Sequence, residues 1–252
     1  MVRATFAILG LMAAILAGCA ASTSGSASEL PRGSPASAQP GPVTSPQTHL
    51  RYVALGDSYT IGTSVSVDAR WPNQLVAALA GGPMVLDLTA NLGVNGYTSR
   101  DVIDVELPRL ASLRPEFVTL LIGVNDVVQG VPAEIYRANI VRILDDLVAR
   151  VGADRVLVVT TPDYTVTPSG ADFGNPVQQA AGIRENNTIL TTLATARGIT
   201  TVDIYDVSLG AGSDRSLVAD DGLHPSGTQY ARWVERIAAA THGLLATPAQ
   251  QP

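Results

Sequence analysis

The run Phe117-Val118-Thr119-Leu120-Leu121-Ile122 contains a single polar side chain, Thr119. A run this short and this apolar reads as a strand buried on both faces, as in a parallel sheet covered by helices on each side. Further short strand-like runs, less uniformly apolar, are Tyr52–Leu55, Met84–Leu88, Arg155–Thr160 and Thr200–Ile204. Helical patterns separate them. Trp71–Leu79 is stopped by Gly81-Gly82. Ser99–Leu113 carries a stripe of Val102, Val105, Leu110 and Leu113, interrupted by Pro108. Val131–Val151 has Pro132 in its first turn and sets Ile140, Val141, Leu144, Leu147, Val148 and Val151 on one face. Gln179–Arg197 ends at Gly198, and Ser226–Thr241 turns Tyr230, Val234 and Ile237 inward. Ala171–Gln178 and Ser208–Gly222 read as loops. This alternation predicts an α/β fold: a three-layer α/β/α sandwich around a five-stranded parallel, flavodoxin-like sheet. With no internal repeat and no second core, it is one domain.

The N-terminal part does not fit that pattern. Arg3 precedes an apolar run, Ala4–Ala17, too short to span a bilayer and ending in small residues, so residues 1–18 read as an export signal. The run closes on Leu16-Ala17-Gly18-Cys19, which resembles the lipobox of bacterial lipoprotein signals, in which the cysteine is lipidated. The alternative is an ordinary secretory signal with an incidental cysteine. Cys19 is the only cysteine, which excludes an intramolecular disulfide and a cysteine zinc site. Residues 19–48 are rich in Ser, Ala, Pro and Gly and read as a tether with a reach on the order of 30 Å. His49, at its end, reads as a solvated linker residue. The folded domain is expected over 49–243 and a frayed tail over 244–252. The expected location is extracytoplasmic, with the membrane as partner through Cys19.

Hydrophobic residues make up 46% of the 252 residues and charged ones 15%, so a large core is available. The formal net charge is −6, and every basic residue except histidine is Arg. Without lysine there is no Walker-type phosphate loop, Schiff base or Ser–Lys dyad. No basic cluster stands out, which argues against nucleic acid as a partner.

Four segments lie where strands end, the usual place for sites in open α/β sheets. Val53-Ala54-Leu55-Gly56-Asp57-Ser58 brings a serine to the edge of the first strand; alone, it is equally a turn with a capping Ser. Asn91-Leu92-Gly93-Val94-Asn95-Gly96 follows the second strand, and its two glycines allow a sharp turn and close backbone approach. Gly123-Val124-Asn125-Asp126 follows the third and presents an amide donor, or an Asx-turn. Asp221-Gly222-Leu223-His224-Pro225 pairs a carboxylate with a histidine just before the last helix. His49 falls in the expected tether and His242 near the end of the last helix, leaving His224 as the histidine inside the domain.

Together these four blocks resemble the SGNH hydrolases, the GDSL lipase/esterase family, named for a Ser, Gly, Asn and His in that order. Tyr59 stands where the name's final Leu would be. The resemblance spans residues 51 to 241. It implies that Ser58 is the nucleophile, His224 the general base and Asp221 the residue orienting it. It also implies an oxyanion hole of the Ser58 N–H, the Gly96 N–H and the Asn125 amide, with no metal or organic cofactor. The Gly-x-Ser-x-Gly elbow of ordinary α/β-hydrolases is absent, because Thr60 occupies its second glycine position.

The expected activity is hydrolysis of carboxylic esters (lipid, aryl or acetylated-sugar) through an acyl-enzyme. An acyltransferase on the same scaffold is the alternative, and a non-catalytic surface binding lipoprotein a further one. The loops expected to select the substrate are Thr63–Arg70, Val127–Val131, Pro162–Pro176 and Ser208–Asp220, with Tyr164 to Phe173 shaping an acyl or sugar pocket. Trp71 reads as a core anchor; Tyr97 is a candidate for the site wall.

Overall fold

A computed structural model describes residues 47–246. The segment expected to be an export signal, Cys19, nearly all of the expected tether and the residues beyond 246 lie outside the described residues. The strands are β1 Thr48–Gly56, β2 Met84–Asn91, β3 Phe117–Leu121, β4 Val156–Val159 and β5 Thr200–Val202, all parallel, in the order β2-β1-β3-β4-β5. This is the five-stranded parallel α/β fold expected. The strand order reverses between β1 and β3, which opens a crevice at their carboxyl ends.

Strand alternation sends successive side chains into two separate cores. Leu50, Tyr52 and Ala54 of β1 pack with Phe117, Leu121, Leu157 and Val159 under α2 (Trp71–Leu79) and the last helix (Gly227–Ala246). Val53 and Leu55 pack with Val118, Leu120, Val156 and Val158 on the opposite face. Thr119, the polar residue in the β3 run, is buried with its hydroxyl 2.7 Å from the Tyr52 hydroxyl, so neither loses its partner. Trp71, expected as a core anchor, is fully buried, as are Tyr230 and Ile237 of the last helix.

Elements between the strands follow in chain order. The segment that follows β1 forms α1 (Ser58–Ile61). After β2 come α3 (Ser99–Asp101), a π-turn at Val102–Glu106 and α4 (Leu107–Leu113). Then come α5 (Val124–Val128), α6 (Ala133–Val151), α7 (Pro176–Thr195), α8 (Tyr205–Leu209) and α9, the Gly227–Ala246 helix.

Four expectations need correction. His49 is not in the tether: β1 begins at Thr48, which pairs with Met84, and His49 Nδ1 lies 3.0 Å from the Asp87 carboxylate across the strands. The segment expected to be one helix over 99–113 contains the π-turn. Its extra residue breaks the 3.6-residue period, so Val105 is 41% exposed while Ile103, Glu106 and Leu107 turn inward. α7 begins at Pro176 rather than Gln179, because the Asn175 side chain accepts the Val177 and Gln178 N–H groups as an N-cap. α9 runs to Ala246, past the expected start of the tail, because Leu245 is buried in the core below it.

Candidate active site

Ser58 opens α1 directly after β1 and is 7% exposed. Asp57 caps that short helix, its Oδ1 accepting the Tyr59 N–H at 2.9 Å. This leaves the Ser58 N–H, among the described residues, without an acceptor. Gly56 holds φ +150°, and a Cβ there would lie 2.2 Å from the Leu121 carbonyl oxygen. Only glycine lets β1 lie flat against β3 and still turn its next residues outward.

The two glycines of the second block serve different ends. A Cβ on Gly93 would lie 2.7 Å from the Asp57 carbonyl oxygen, so Gly93 allows this loop to pack on α1. Gly96 takes φ +82° and has open space where its Cβ would be. Its N–H, like that of Ser58, has no acceptor among the described residues. Asn125, at the start of α5, donates through Nδ2 to the Tyr97 carbonyl at 2.9 Å. One amide hydrogen is thereby used to fix the side chain, and the other remains available. Gln129 Nε2 donates to the Gly96 carbonyl at 2.9 Å and holds the same loop from the next turn. Tyr97 therefore contributes its backbone rather than a wall of the pocket.

Asp221 and His224 sit on the loop before α9. His224 Nδ1 lies 2.6 Å from Asp221 Oδ2. Asp221 Oδ1 accepts the Leu223 and His224 N–H groups, each at 2.9 Å. Burial disfavours the Asp221 anion, but the hydrogen bonds from Ser64, Leu223 and His224 outweigh it and hold the carboxyl at about 2. An ionised Asp221 fixes Nδ1 as the donor and turns Nε2 outward as the acceptor. The imidazole packs against Tyr59, with ring centroids 5.3 Å apart. No hydrogen bond joins Ser58 to His224 in this structure, although both line one cleft. Contacts of this kind often close only once substrate is bound.

The cleft has a volume of about 210 Å³. Asn95, Gly96 and Asn125 give its polar edge, and Val124, Val128, Tyr164, Phe173 and Leu223 its apolar walls. Tyr164 and Phe173 meet edge to face at 5.7 Å, and the Tyr164 hydroxyl donates to Gln179. Tyr164 and Phe173 of the expected pocket loop and Val128 of the 127–131 loop thus line the cleft. The 63–70 and 208–220 loops do not line the cleft.

Several supporting residues carried no role in the sequence. Asp126 is buried beside Asn125, and burial raises its carboxyl above the ordinary range. It accepts the Ser99 N–H at 2.9 Å and the Ser99 hydroxyl at 2.5 Å, which ties the Asn125 segment to the helix after Gly96. Asn186 of α7 donates to the Gly123 carbonyl at 3.2 Å. The aspartate following the Asn125 motif was visible in the sequence; Asn186 had no local signal.

Beneath the Ser58 turn, Glu106 Oε2 accepts the Gly56 N–H at 3.1 Å. Burial pushes Glu106 up to about 9, and nearby Asp57, itself pushed up to about 7 chiefly by burial, adds to the effect. Glu106 must therefore hold its proton when the chain folds. Above its unfolded value of about 4.5 the unfolded chain releases that proton, so stability falls as pH rises until the folded group also ionises near 9. By pH 7 Asp57 has largely completed the same loss. Between pH 7 and 9 Glu106 should cost about 2 kcal/mol of stability, a fall in Tm of roughly 4–8 °C. Glu106→Gln keeps a carbonyl for Gly56 and should flatten that decline in thermal melts. An unchanged slope in the variant would show that Glu106 is not the group responsible.

Comparison with known proteins agrees with this architecture. The chain is 28% identical over 124 residues to an arylesterase of Vibrio mimicus, a match covering 47% of this chain and 59% of that relative's length. A lipase/acylhydrolase from Enterococcus faecalis superposes with a TM-score of 0.60 at 20% identity, covering 80% of this chain and 99% of the other. An acetyl xylan esterase from Geobacillus stearothermophilus superposes with a TM-score of 0.59 at 17% identity, covering 82% and 99%. These superpositions establish the shared fold. With residues 54–241 matching the model of the GDSL-like lipase/acylhydrolase family, the chain belongs to that family.

Proposed function

We propose that the protein is an exported carboxylic ester hydrolase that works through an acyl-enzyme on Ser58. The observation that carries this reading is the 2.6 Å pair of Asp221 and His224, with His224 in one cleft with Ser58 and with two backbone N–H groups that lack acceptors among the described residues. His224 Nε2 takes the Ser58 hydroxyl proton as Oγ bonds to the ester carbon. The resulting oxyanion accepts hydrogen bonds from the Ser58 N–H, the Gly96 N–H and Asn125 Nδ2. The carbon–oxygen bond to the alcohol breaks as His224 returns the proton to the leaving oxygen. Water then repeats the sequence, releasing the acid and restoring Ser58. Asp221 keeps the imidazole in the required tautomer and stabilises the imidazolium.

The cleft favours short acyl or aryl groups. Its volume of about 210 Å³ is below the roughly 300 Å³ at which drug-sized sites begin. Its walls from Tyr164, Phe173, Val128 and Leu223 are apolar, which suits the acyl side of an ester better than a charged group. Acylhydrolase names among the relatives agree with this chemistry, and transfer to a sugar or lipid hydroxyl in place of water remains the second reading. Export and anchoring rest on the apolar run ending at Cys19.

Full-length protein in detergent should cleave p-nitrophenyl acetate and butyrate with a kcat/KM at least about tenfold above that for the palmitate ester, since each methylene beyond the pocket adds no buried contact. A maximum at palmitate would overturn the short-acyl assignment. No cleavage of any ester by folded protein would overturn hydrolysis itself.

A further inference from the structure

The turn after α1 reaches both loops that complete the site. Gly62 and Thr63 donate their N–H groups to the Ser58 carbonyl, at 3.0 and 3.1 Å, so this turn is fixed to the nucleophile residue itself. From there the Thr63 hydroxyl donates to Asn95 Oδ1 at 2.5 Å, next to Gly96. The Ser64 hydroxyl donates to Asp221 Oδ2 at 2.6 Å, the same oxygen that faces His224 Nδ1. Ser64 makes that contact with φ at +66°. Non-glycine residues enter this region at a steric cost, and such positions cluster where surrounding structure holds them for function. Arg114, with φ +46°, is the other such residue among the described ones, and it simply ends α4.

We propose that Ser64 is a positioning residue for the Asp221–His224 pair, acting through the Asp221 carboxylate. The proposal rests on the catalytic roles given above. Asp221 has four acceptor positions, and the Leu223 N–H, the His224 N–H, His224 Nδ1 and the Ser64 hydroxyl fill them. The two backbone bonds hold Oδ1. Ser64 holds Oδ2 from the turn after α1, so the carboxylate cannot turn about its last bond and leave the imidazole. Because Ser64 is bonded through its turn to the Ser58 carbonyl, base and nucleophile share one rigid reference although 166 positions separate Ser58 from His224. This gives the 63–70 segment a role other than lining the substrate cleft.

Ser64→Gly tests it, because glycine takes the same backbone conformation without strain and removes only the hydroxymethyl group. In full-length protein the variant should match or exceed wild-type Tm. Its kcat on p-nitrophenyl acetate should fall about tenfold, the scale of one lost hydrogen bond to a charged group, with KM within about twofold. The downfield proton resonance of His224 Nδ1–H should move upfield or broaden. Ser64→Ala should show the same kcat, because it too lacks the hydroxyl. Wild-type kcat in Ser64→Gly would overturn the proposal, and so would a loss of kcat that follows a fall in Tm. Ser58→Ala, run beside these, separates the two levels. If it stays active, the catalytic assignment fails, while the Nδ1–H resonance still decides whether Ser64 orders the pair.

Discussion

Ser58→Ala should lower kcat for a p-nitrophenyl ester by on the order of 10⁴- to 10⁶-fold, with the fold unchanged. The size follows from the proposed role. Without Oγ there is no acyl-enzyme, and only the oxyanion donors and substrate binding remain to help a water molecule. The unchanged fold follows from the surroundings. Among the described residues the Ser58 hydroxyl makes no hydrogen bond, and the contacts this residue accepts from Gly62 and Thr63 go to its backbone carbonyl. Alanine also suits a helix start without introducing bulk. Tm should stay within about 2 °C, because the substitution removes one oxygen that has no hydrogen-bond partner among the described residues and borders the cleft, so it breaks none of the features behind large losses of stability. A fluorophosphonate should label the wild-type protein covalently and leave Ser58→Ala unlabelled. Purified Ser58→Ala protein cleaving at the wild-type rate would remove the acyl-enzyme mechanism altogether.

Asn125→Ala should cost about 100- to 1,000-fold in kcat, the usual loss for one oxyanion donor. The amide also holds the Tyr97 carbonyl, so its removal could be thought to loosen the Gly96 loop as well. That loop keeps its bond from Gln129 to the Gly96 carbonyl and its packing of Gly93 on α1. The loss should therefore fall on turnover, with KM changed by less than about threefold, because charge develops on the carbonyl oxygen only in the transition state. A kcat within tenfold of wild type would mean that Ser58 and Gly96 suffice and that Asn125 serves the loop alone. Gln129→Ala is the matching control, since it loosens the loop and leaves the amide in place.

Much of this architecture could be read locally. The apolar runs foretold the inner strands β3 and β4 because a strand buried on both faces tolerates little else. The inward face of α9 was legible at Tyr230, Val234 and Ile237 because that helix buries one stripe against the core. The π-turn was not legible. It exists where Glu106 reaches a backbone N–H of Gly56, fifty positions away in sequence. His49 was misread because the polar composition before it extends to Thr48, whereas strand β1 is prolonged by pairing with β2. The start of α7 could have been found, since Asn175-Pro176 is a cap followed by a favoured first helical residue.

The sequence by itself determined the alternating architecture, the three blocks at strand ends and the fourth before the last helix, and the residue types the proposed chemistry requires. These depend on period, turn chemistry and side-chain chemistry, all carried by neighbouring residues. The tertiary structure alone decided which groups meet. It brought Ser64 to Asp221, Asp126 to Ser99 and Asn186 to Gly123. It also divided the two glycines of the second block between packing and turning. Each of these depends on distances between segments far apart in the chain. Such distances are set by how helices of given bulk seat on a twisted sheet, and no local pattern encodes that spacing.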